Sequence, residues 1–428
     1  DTLLQCVHLV FSTNVEDQCN EDDLDVLRKM QIEAVKNARR NPMQVFSEIQ
    51  QYLTYGKSYL SKPITLKTLQ KMSPENACRY FNKCFLDPSH FTMVLVGAFD
   101  REAVLPLLEK YISSIPRPLD SSPKITNVKP APFEFPKKAV SKRVRLKMVE
   151  HQGAASITFP VTIVHPDAIA KQEALKRGET YKGPTLEGFQ ALTRAKFLTM
   201  ISAAVIERRL LARLRFERGE IYSCSCSASF GYSDPNPSNG EPYRGDLSVV
   251  FSCDPRSGET LSKVALDEIE KLQKEGPSLE DVNTAKEVEI RSLEEHRQEN
   301  IFWRDYVDAM YASQLLPVLD MNIDKVYENT EAIRSNVLET LSPEIMRAHL
   351  QETVAIKRRV KVVLLPQRPL LVRLLAPNVD DVKGFLFERP DSVADLCGRL
   401  ALVGCFGTAC YFFTRSTNKS SDEQKQQQ

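Results

Sequence analysis

Two stretches of this chain open on the same three residues and continue in the same way. "SPENACRYFNKCFLDPSHFTMVLVG" starts at Ser73, and "SPEIMRAHLQETVAIKRRVKVVLLP" starts at Ser342. In each, the serine suits a helix N-cap, the proline the first helical position and the glutamate the first turn, where the helix dipole favours negative charge. Each then runs through a helix to an apolar strand, which begins near Phe91 in the first copy and near Arg359 in the second. A chance Ser-Pro-Glu is common, but a shared sequel is not. The pair predicts an internal repeat, and hence two related lobes of α+β type in which antiparallel sheets carry helices mainly on one face.

The rest of the chain fits around that repeat. Residues 1–116 read as a partial first lobe, 141–366 as a complete second lobe and 367–428 as a divergent tail. The chain enters at once into "TLLQCVHLVF", so the first lobe is expected to lack its N-terminal half. The run from Asn20 to about Tyr55 has apolar residues every three or four positions and reads as helical. "FTMVLVGAFD", Phe91 to Asp100, reads as a strand too apolar for a wet face, followed by a helix from Arg101. Residues 117–140, with Pro118, Pro123, Pro130, Pro132 and Pro136, form an extended linker. Beyond it, "SKRVRLKMVE" and "GAASITFPVTIV" read as strands meeting near Gln152 and Gly153, and the polar stretch Asp167 to Glu187 as a surface insertion. Phe189 to Leu214 is helical in composition, with Gly219 as its stop. "YSCSCSASF" then alternates, placing Tyr222, Cys224, Cys226, Ala228 and Phe230 on one face and four serines on the other. "DLSVVFSCD" repeats the alternation through Leu247, Val249, Phe251 and Cys253, so the two are expected to pair antiparallel. A helix from Gly258 to Glu275 should end at Gly276, and Ser278 should cap the next with Asp281 three residues on.

Charge excludes some functions. The formal net charge is +1, so there is no global attraction for nucleic acid. Arg208, Arg209, Arg213, Arg215 and Arg218 cluster, but Glu207, Glu217 and Glu220 sit among them, which predicts a mixed, solvated helix face. The ten cysteines form no C-x-x-C pair, and Cys224, Cys226 and Cys253 fall in strands. They read as reduced thiols in an intracellular compartment, cytoplasmic or organellar.

The stretch that points to chemistry is "RFERGEIYSCSCSASFG", where Arg215 and Tyr222 flank the junction between a helix and a strand. Together with "VLVGAFDREAVLPLLEKYISSIPRP" and the pattern L-x-x-R-L-R-x-x-x-G-x-x-Y-S, it resembles the pitrilysin/insulinase family of zinc peptidases, the inverzincins. The likeness covers about residues 1–366 and is nearest to the family's large plant members. It implies four lobes arranged as two halves that close around a peptide. The N-terminal half holds zinc through H-x-x-E-H, and the C-terminal half contributes an arginine and, seven residues later, a tyrosine. Arg215 and Tyr222 match those two positions as substrate-binding residues. Arg215 is implied to hold a substrate backbone carbonyl, and Tyr222 to hydrogen-bond near the scissile one. Guanidinium and phenol donors stabilise the charge that grows on a carbonyl oxygen as it becomes tetrahedral. Read without the resemblance, Arg215 pairs with a nearby glutamate and Tyr222 covers the sheet.

The metal motif itself is absent. No two of the six histidines stand four apart, so neither H-x-x-E-H nor H-E-x-x-H occurs. "SLEEH", Ser292 to His296, puts serine where the first histidine belongs, and a hydroxyl is a poor zinc ligand. This chain is therefore expected to bind no metal and to be inactive alone, with zinc in an N-terminal half or a partner subunit and peptides or unfolded proteins as substrates. The alternative is a non-catalytic core subunit or scaffold. In the tail, residues 396–414 are apolar but shorter than the about 20 residues of a usual span. They are a candidate membrane tether, with a packed helix as the other reading.

Overall fold

The structure is a computed structural model that describes residues 1–13, 21–56, 61–85, 87–116, 134–148, 152–164, 166–180, 185–216, 221–230, 243–312 and 321–367. The chain divides into two compact units, one of Asp1–Lys142 with Gln152–Leu364 and the other of Arg143–His151 with Leu365–Gln428. In the second unit, the backbone N–H of Gln367 donates to Leu146 O at 2.8 Å.

Helices dominate the first part of the larger unit: α1 (Thr2–Ser12), α2 (Glu21–Arg40), α3 (Pro42–Tyr55), α4 (Leu66–Gln70), α5 (Pro74–Phe85) and α6 (Arg101–Tyr111). The single helical run expected from Asn20 to Tyr55 is two helices. Asn41 breaks it by accepting hydrogen bonds from the N–H groups of Met43 and Gln44, and Pro42 starts the new helix. Ser73 caps α5 as expected, accepting from Asn76 N at 3.3 Å. Asp100 caps α6 by accepting from Glu102 N at 2.9 Å.

The strand expected over Phe91 to Asp100 does not form. A strand is stabilised by its ladder, and among the described residues none pairs with this segment. Phe91 is instead held by ring contacts, 5.1 Å from Phe85 and 4.9 Å from Phe11 between centroids.

The sheet has the order β1-β5-β2-β4-β3, formed by β1 (Val140–Leu146), β2 (Gly153–Ile163), β3 (Ile221–Phe230), β4 (Tyr243–Cys253) and β5 (Val360–Pro366). Between these run α7 (Pro166–Lys176), α8 (Leu186–Leu210), α9 (Gly258–Glu275), α10 (Leu279–His296), α11 (Asn300–Ala312), α12 (Ile323–Thr340) and α13 (Pro343–Thr353). The architecture is α+β, as expected, but two details differ. The strands β1 and β2 do not form a hairpin, because β5 lies between them. Nor is the sheet wholly antiparallel. Val140 N bonds Arg359 O at one end of β1 and Gln367 N bonds Leu146 O at the other, so β1 runs parallel to β5 and the sheet is mixed.

β2 pairs antiparallel with both β4 and β5, and nearly all of it is buried. On one face Ile157, Phe159, Leu247, Val249 and Phe251 are at most 1% exposed. α9 starts against this face. A Cβ added at Gly258 would lie 3.1 Å from Val363 and 3.6 Å from Cys253, and Lys361 Nζ meets Glu259 at 2.7 Å. The other face is rich in hydroxyls. There α3 covers the sheet, with Gln50 Nε2 donating to Thr158 Oγ1 (3.0 Å) and Ser248 Oγ (3.1 Å). Tyr55 OH donates to the Asp246 carboxylate. Burial raises the Asp246 pKa, and the Tyr55 hydrogen bond opposes that rise. Helices therefore cover both faces at the centre, where the sequence placed them mainly on one.

The polar stretch after Asp167 is also more than a surface insertion. Asp167 is 1% exposed and clamps the start of α8, accepting from Thr185 N (3.0 Å) and Thr185 Oγ1 (2.7 Å). The C-terminal signals hold as read. Gly276 (φ +85°) ends α9, Ser278 and Asp281 form a capping box, and Ser342 caps α13 by accepting from Ile345 N. Of the repeat, the capped helix is present twice and the paired strand once.

α8 is the longest helix and joins the layers, burying Phe197, Leu198, Ile201, Val205 and Ile206. Each such side chain contributes about 1.5–3 kcal/mol by leaving water. It also packs on α13 through His349, whose Nε2 lies 2.8 Å from Thr199 Oγ1. The Thr199 proton goes to Ala195 O at 2.9 Å, so the imidazole is the donor to the hydroxyl. Burial holds the His349 pKa down to about 4. The folded protein thus binds this proton less readily than the unfolded chain, and stability is complete above the ordinary histidine value and falls as pH drops towards 4. We expect urea unfolding to show a loss of about 3 kcal/mol from this group between pH 7 and pH 4. In His349→Gln that part of the acid sensitivity should disappear.

Candidate functional site

The junction between α8 and β3 is built from two backbone irregularities. α8 passes into a π-helical turn, Leu211–Phe216. Leu210 and Leu214 are fully buried and anchor this turn. Arg215, the next residue, is exposed. Wide turns of this kind shift the phase of the residues that follow, and they occur often at functional sites. Residues 217–220, with the expected stop at Gly219, lie outside the described residues.

β3 then begins with a bulge. Ile221 pairs with Cys253 and Ser223 pairs with Ser252, so Tyr222 has no opposite residue on β4. The alternation in the sequence placed Tyr222 on the same face as Cys224 and Cys226. The bulge takes it off that face: Ile221 is buried, and Tyr222 is 69% exposed. Beyond the bulge the expected pairing holds, with Cys224 opposite Phe251, Cys226 opposite Val249 and Ala228 opposite Leu247.

A carboxylate that the sequence did not single out for this junction also belongs to it. Glu207, near the end of α8, accepts a hydrogen bond from the backbone N–H of Cys226 at 2.8 Å. Burial, reinforced by the Glu207 charge, pushes the Cys224 thiol up to about 12, and Cys226 is raised as well. Both are thiols and not thiolates at neutral pH, which suits the core role read from the sequence. Cys6 and Cys84 are also free, but Cys78 is disulfide-bonded, so the reading of uniformly reduced thiols fails at that residue.

In the arginine cluster, where a solvated face was expected, Arg208 and Arg209 pair with carboxylates of α9 and α10, two of them buried. Arg209 donates through Nε and Nη2 to Glu268 Oε1 (2.9 and 2.6 Å) and through Nη1 to Asp281 Oδ2 (3.5 Å). Arg208 reaches Glu280 at 3.3 Å. These pairs line an open cleft of about 560 Å³ that includes neither Arg215 nor Tyr222.

Among the described residues, no three His, Cys, Asp or Glu side chains converge closely enough to hold a metal ion. Ser292 and His296 of the "SLEEH" stretch meet each other at 3.2 Å on the exposed C-terminal part of α10. Among the described residues no helix is long and apolar enough to cross a membrane, and residues 396–414 lie outside them.

The family described as peptidase M16 inactive domain matches residues 71–289, a span that holds both Arg215 and Tyr222. A "Zinc protease PQQL-like" of Arabidopsis thaliana is 35% identical over 373 residues, covering 86% of this chain and 36% of its own length. The periplasmic protease PqqL from Escherichia coli superposes with a TM-score of 0.56 at 16% identity, over 81% of this chain and 33% of that one. The ferredoxin protease FusC, solved as a mutant in complex with Arabidopsis ferredoxin, superposes at 0.50 and 15% identity over 80% and 32%. The α+β fold of this chain is thus shared with these proteases. This chain belongs to the peptidase M16 family as its inactive domain, in line with the resemblance to the pitrilysin/insulinase peptidases. It spans about a third of the length of the curated relative it matches.

The arginine pairs give a direct test of the charged face. Arg209→Ala leaves Glu268 and Asp281, 7% and 6% exposed, without that guanidinium. Urea unfolding should show a loss of about 1–3 kcal/mol, since buried acceptors are then left short of a donor.

Proposed function

We propose that this chain is the substrate-binding, zinc-free half of a zinc metalloendopeptidase that encloses peptides and cleaves them. In this reading residues 1–116 and 141–366 are related lobes, joined by 117–140. The zinc and the residues that hold it belong to an N-terminal half or a partner subunit. The observation that carries the proposal is the match to an inactive peptidase domain across the stretch that contains Arg215 and Tyr222. Support comes from their chemistry and setting. Both side chains are exposed, each sits at or beside a backbone irregularity, and each donates hydrogen bonds of the kind that peptide carbonyls accept.

The zinc supplies the activated water and polarises the scissile carbonyl when it is bound in that other half. The residues of this chain act on the rest of the substrate. The Arg215 guanidinium holds a backbone carbonyl and fixes the peptide in register. The Tyr222 phenol donates to an oxygen near the bond that breaks, where charge grows in the transition state. The buried anchors Leu210, Leu214 and Ile221 flank the two positions and keep the donors from recoiling into solvent. Unfolded proteins and peptides are the substrates of this reading, and the complex of FusC with a protein ligand agrees with that class.

The test uses this chain mixed with a zinc-bearing half of the same family, and it follows cleavage of an unstructured fluorogenic peptide. Tyr222→Phe is expected to lower kcat by about 10²–10³, the usual cost of one donor to a developing oxyanion. Arg215→Ala should act chiefly on KM. Cleavage by the mixture that is unchanged in both variants would remove the roles assigned to them.

A further inference from the structure

Arg209 stands in the last turn of α8, ahead of Arg215 in the chain. Between them the backbone enters the π-helical turn Leu211–Phe216. That turn is held unevenly. On one side Leu210 and Leu214 are fully buried. On the other, Ala212 and Arg213 are exposed and line the open cleft of about 560 Å³. Close packing fixes a direction only where side chains press on one another, so the cleft side needs another kind of tie.

The tie on that side is ionic. The Arg209 guanidinium donates to Glu268 Oε1 through Nη2 at 2.6 Å and to Asp281 Oδ2 through Nη1 at 3.5 Å. Both carboxylates stand on elements with anchors of their own. Glu268 belongs to α9, which buries Leu261, Ala265, Ile269 and Leu272. Asp281 Oδ2 also accepts from Ser278 N and Ser278 Oγ, so the same oxygen closes the capping box of α10. One guanidinium thus joins the end of α8 to α9 and to the start of α10. A planar fork meets two buried carboxylates in a narrow range of orientations, so such a pair specifies geometry more than it adds net stability.

We propose that Arg209 is a positioning residue for Arg215: its ties to Glu268 and Asp281 orient the end of α8 so that the π-helical turn presents the Arg215 guanidinium to the substrate carbonyl. The inference rests on the peptide-binding reading of the junction and adds what aims one of its two donors. In this role Arg209 does not touch the substrate. It holds the turn before the peptide arrives, so binding need not order it. Its loss then weakens the grip on the peptide and leaves the bond-breaking step alone, which places the effect in KM.

The test is a double-mutant cycle over Arg209→Ala and Arg215→Ala in this 428-residue chain. Each variant is mixed with a zinc-bearing half of the same family, and KM and kcat are measured for the unstructured fluorogenic peptide. Alone, Arg209→Ala should raise KM about tenfold and leave kcat within about twofold, since a small misplacement of a binding group is costly. In the Arg215→Ala background the same substitution should change KM by less than about twofold, because nothing is left to aim. Arg209→Lys keeps the charge, but one ammonium cannot reproduce the planar fork, so it should restore KM only in part. It also carries the cycle where Arg209→Ala does not fold. A fall in apparent kcat at unchanged KM means that folded protein alone was lost; Arg209 is then only a stabiliser and the inference is overturned. KM effects that multiply in the double variant mean that Arg209 acts apart from Arg215, so the inference fails while the reading of the junction stands. If Arg215→Ala by itself leaves KM unchanged, the role assigned to Arg215 fails and this inference fails with it.

Discussion

The burial of β2 on both faces is the constraint on which the rest of this structure depends. A strand with nearly every residue out of water must have all its ladder bonds made, and β4 and β5 make them on its two sides. Its side chains must also be covered above and below. The apolar face takes α9 and α8. The hydroxyl face takes α3 through Gln50 and, on β4, Tyr55. This second cover is polar because Thr158 and Ser248 are polar, and buried hydroxyls cost free energy unless they are bonded. With β2 fixed as the centre, β4 is fixed as its neighbour, and β3 is left at the rim.

The position at the rim matters because Arg215 and Tyr222, the proposed site residues, are there and because regular structure fails there twice. An α-helix that ran on unchanged and a strand without a bulge would keep the phase of the core pattern. Tyr222 would then share the face of Cys224 and Cys226. The π-helical turn and the bulge each break that phase within about a dozen residues of one another, on either side of the junction. The buried leucines before Arg215 and the buried Ile221 before Tyr222 hold the irregular backbone in place. The exposed donors therefore stand on anchored backbone.

The charges of the larger unit follow one rule. Those that are withdrawn from water have partners or are neutral. Glu268 and Asp281 have Arg209, Asp167 has Thr185, and His349 stays uncharged against Thr199. Glu207 extends the rule to the backbone, since it satisfies an edge N–H that the sheet leaves open.

Local signals were legible in the sequence by themselves. Ser73, Ser342, Ser278 and Gly276 act within one turn of backbone, so their meaning does not depend on distant residues, and all four hold. The alternation of β4 and most of β3 was equally plain, as were the absence of a zinc motif and the spacing of Arg215 and Tyr222. Tertiary structure decided the rest. Phe91 to Asp100 has a strand's composition, yet composition cannot supply a neighbouring ladder. β5 enters between β1 and β2 because strand order is set by long-range packing, and α3 covers a face that its own sequence does not name. The bulge at Tyr222 and the grip of Glu207 on Cys226 likewise depend on how α8 meets β3. Residues near in sequence report local geometry, while pairing and burial depend on partners far along the chain.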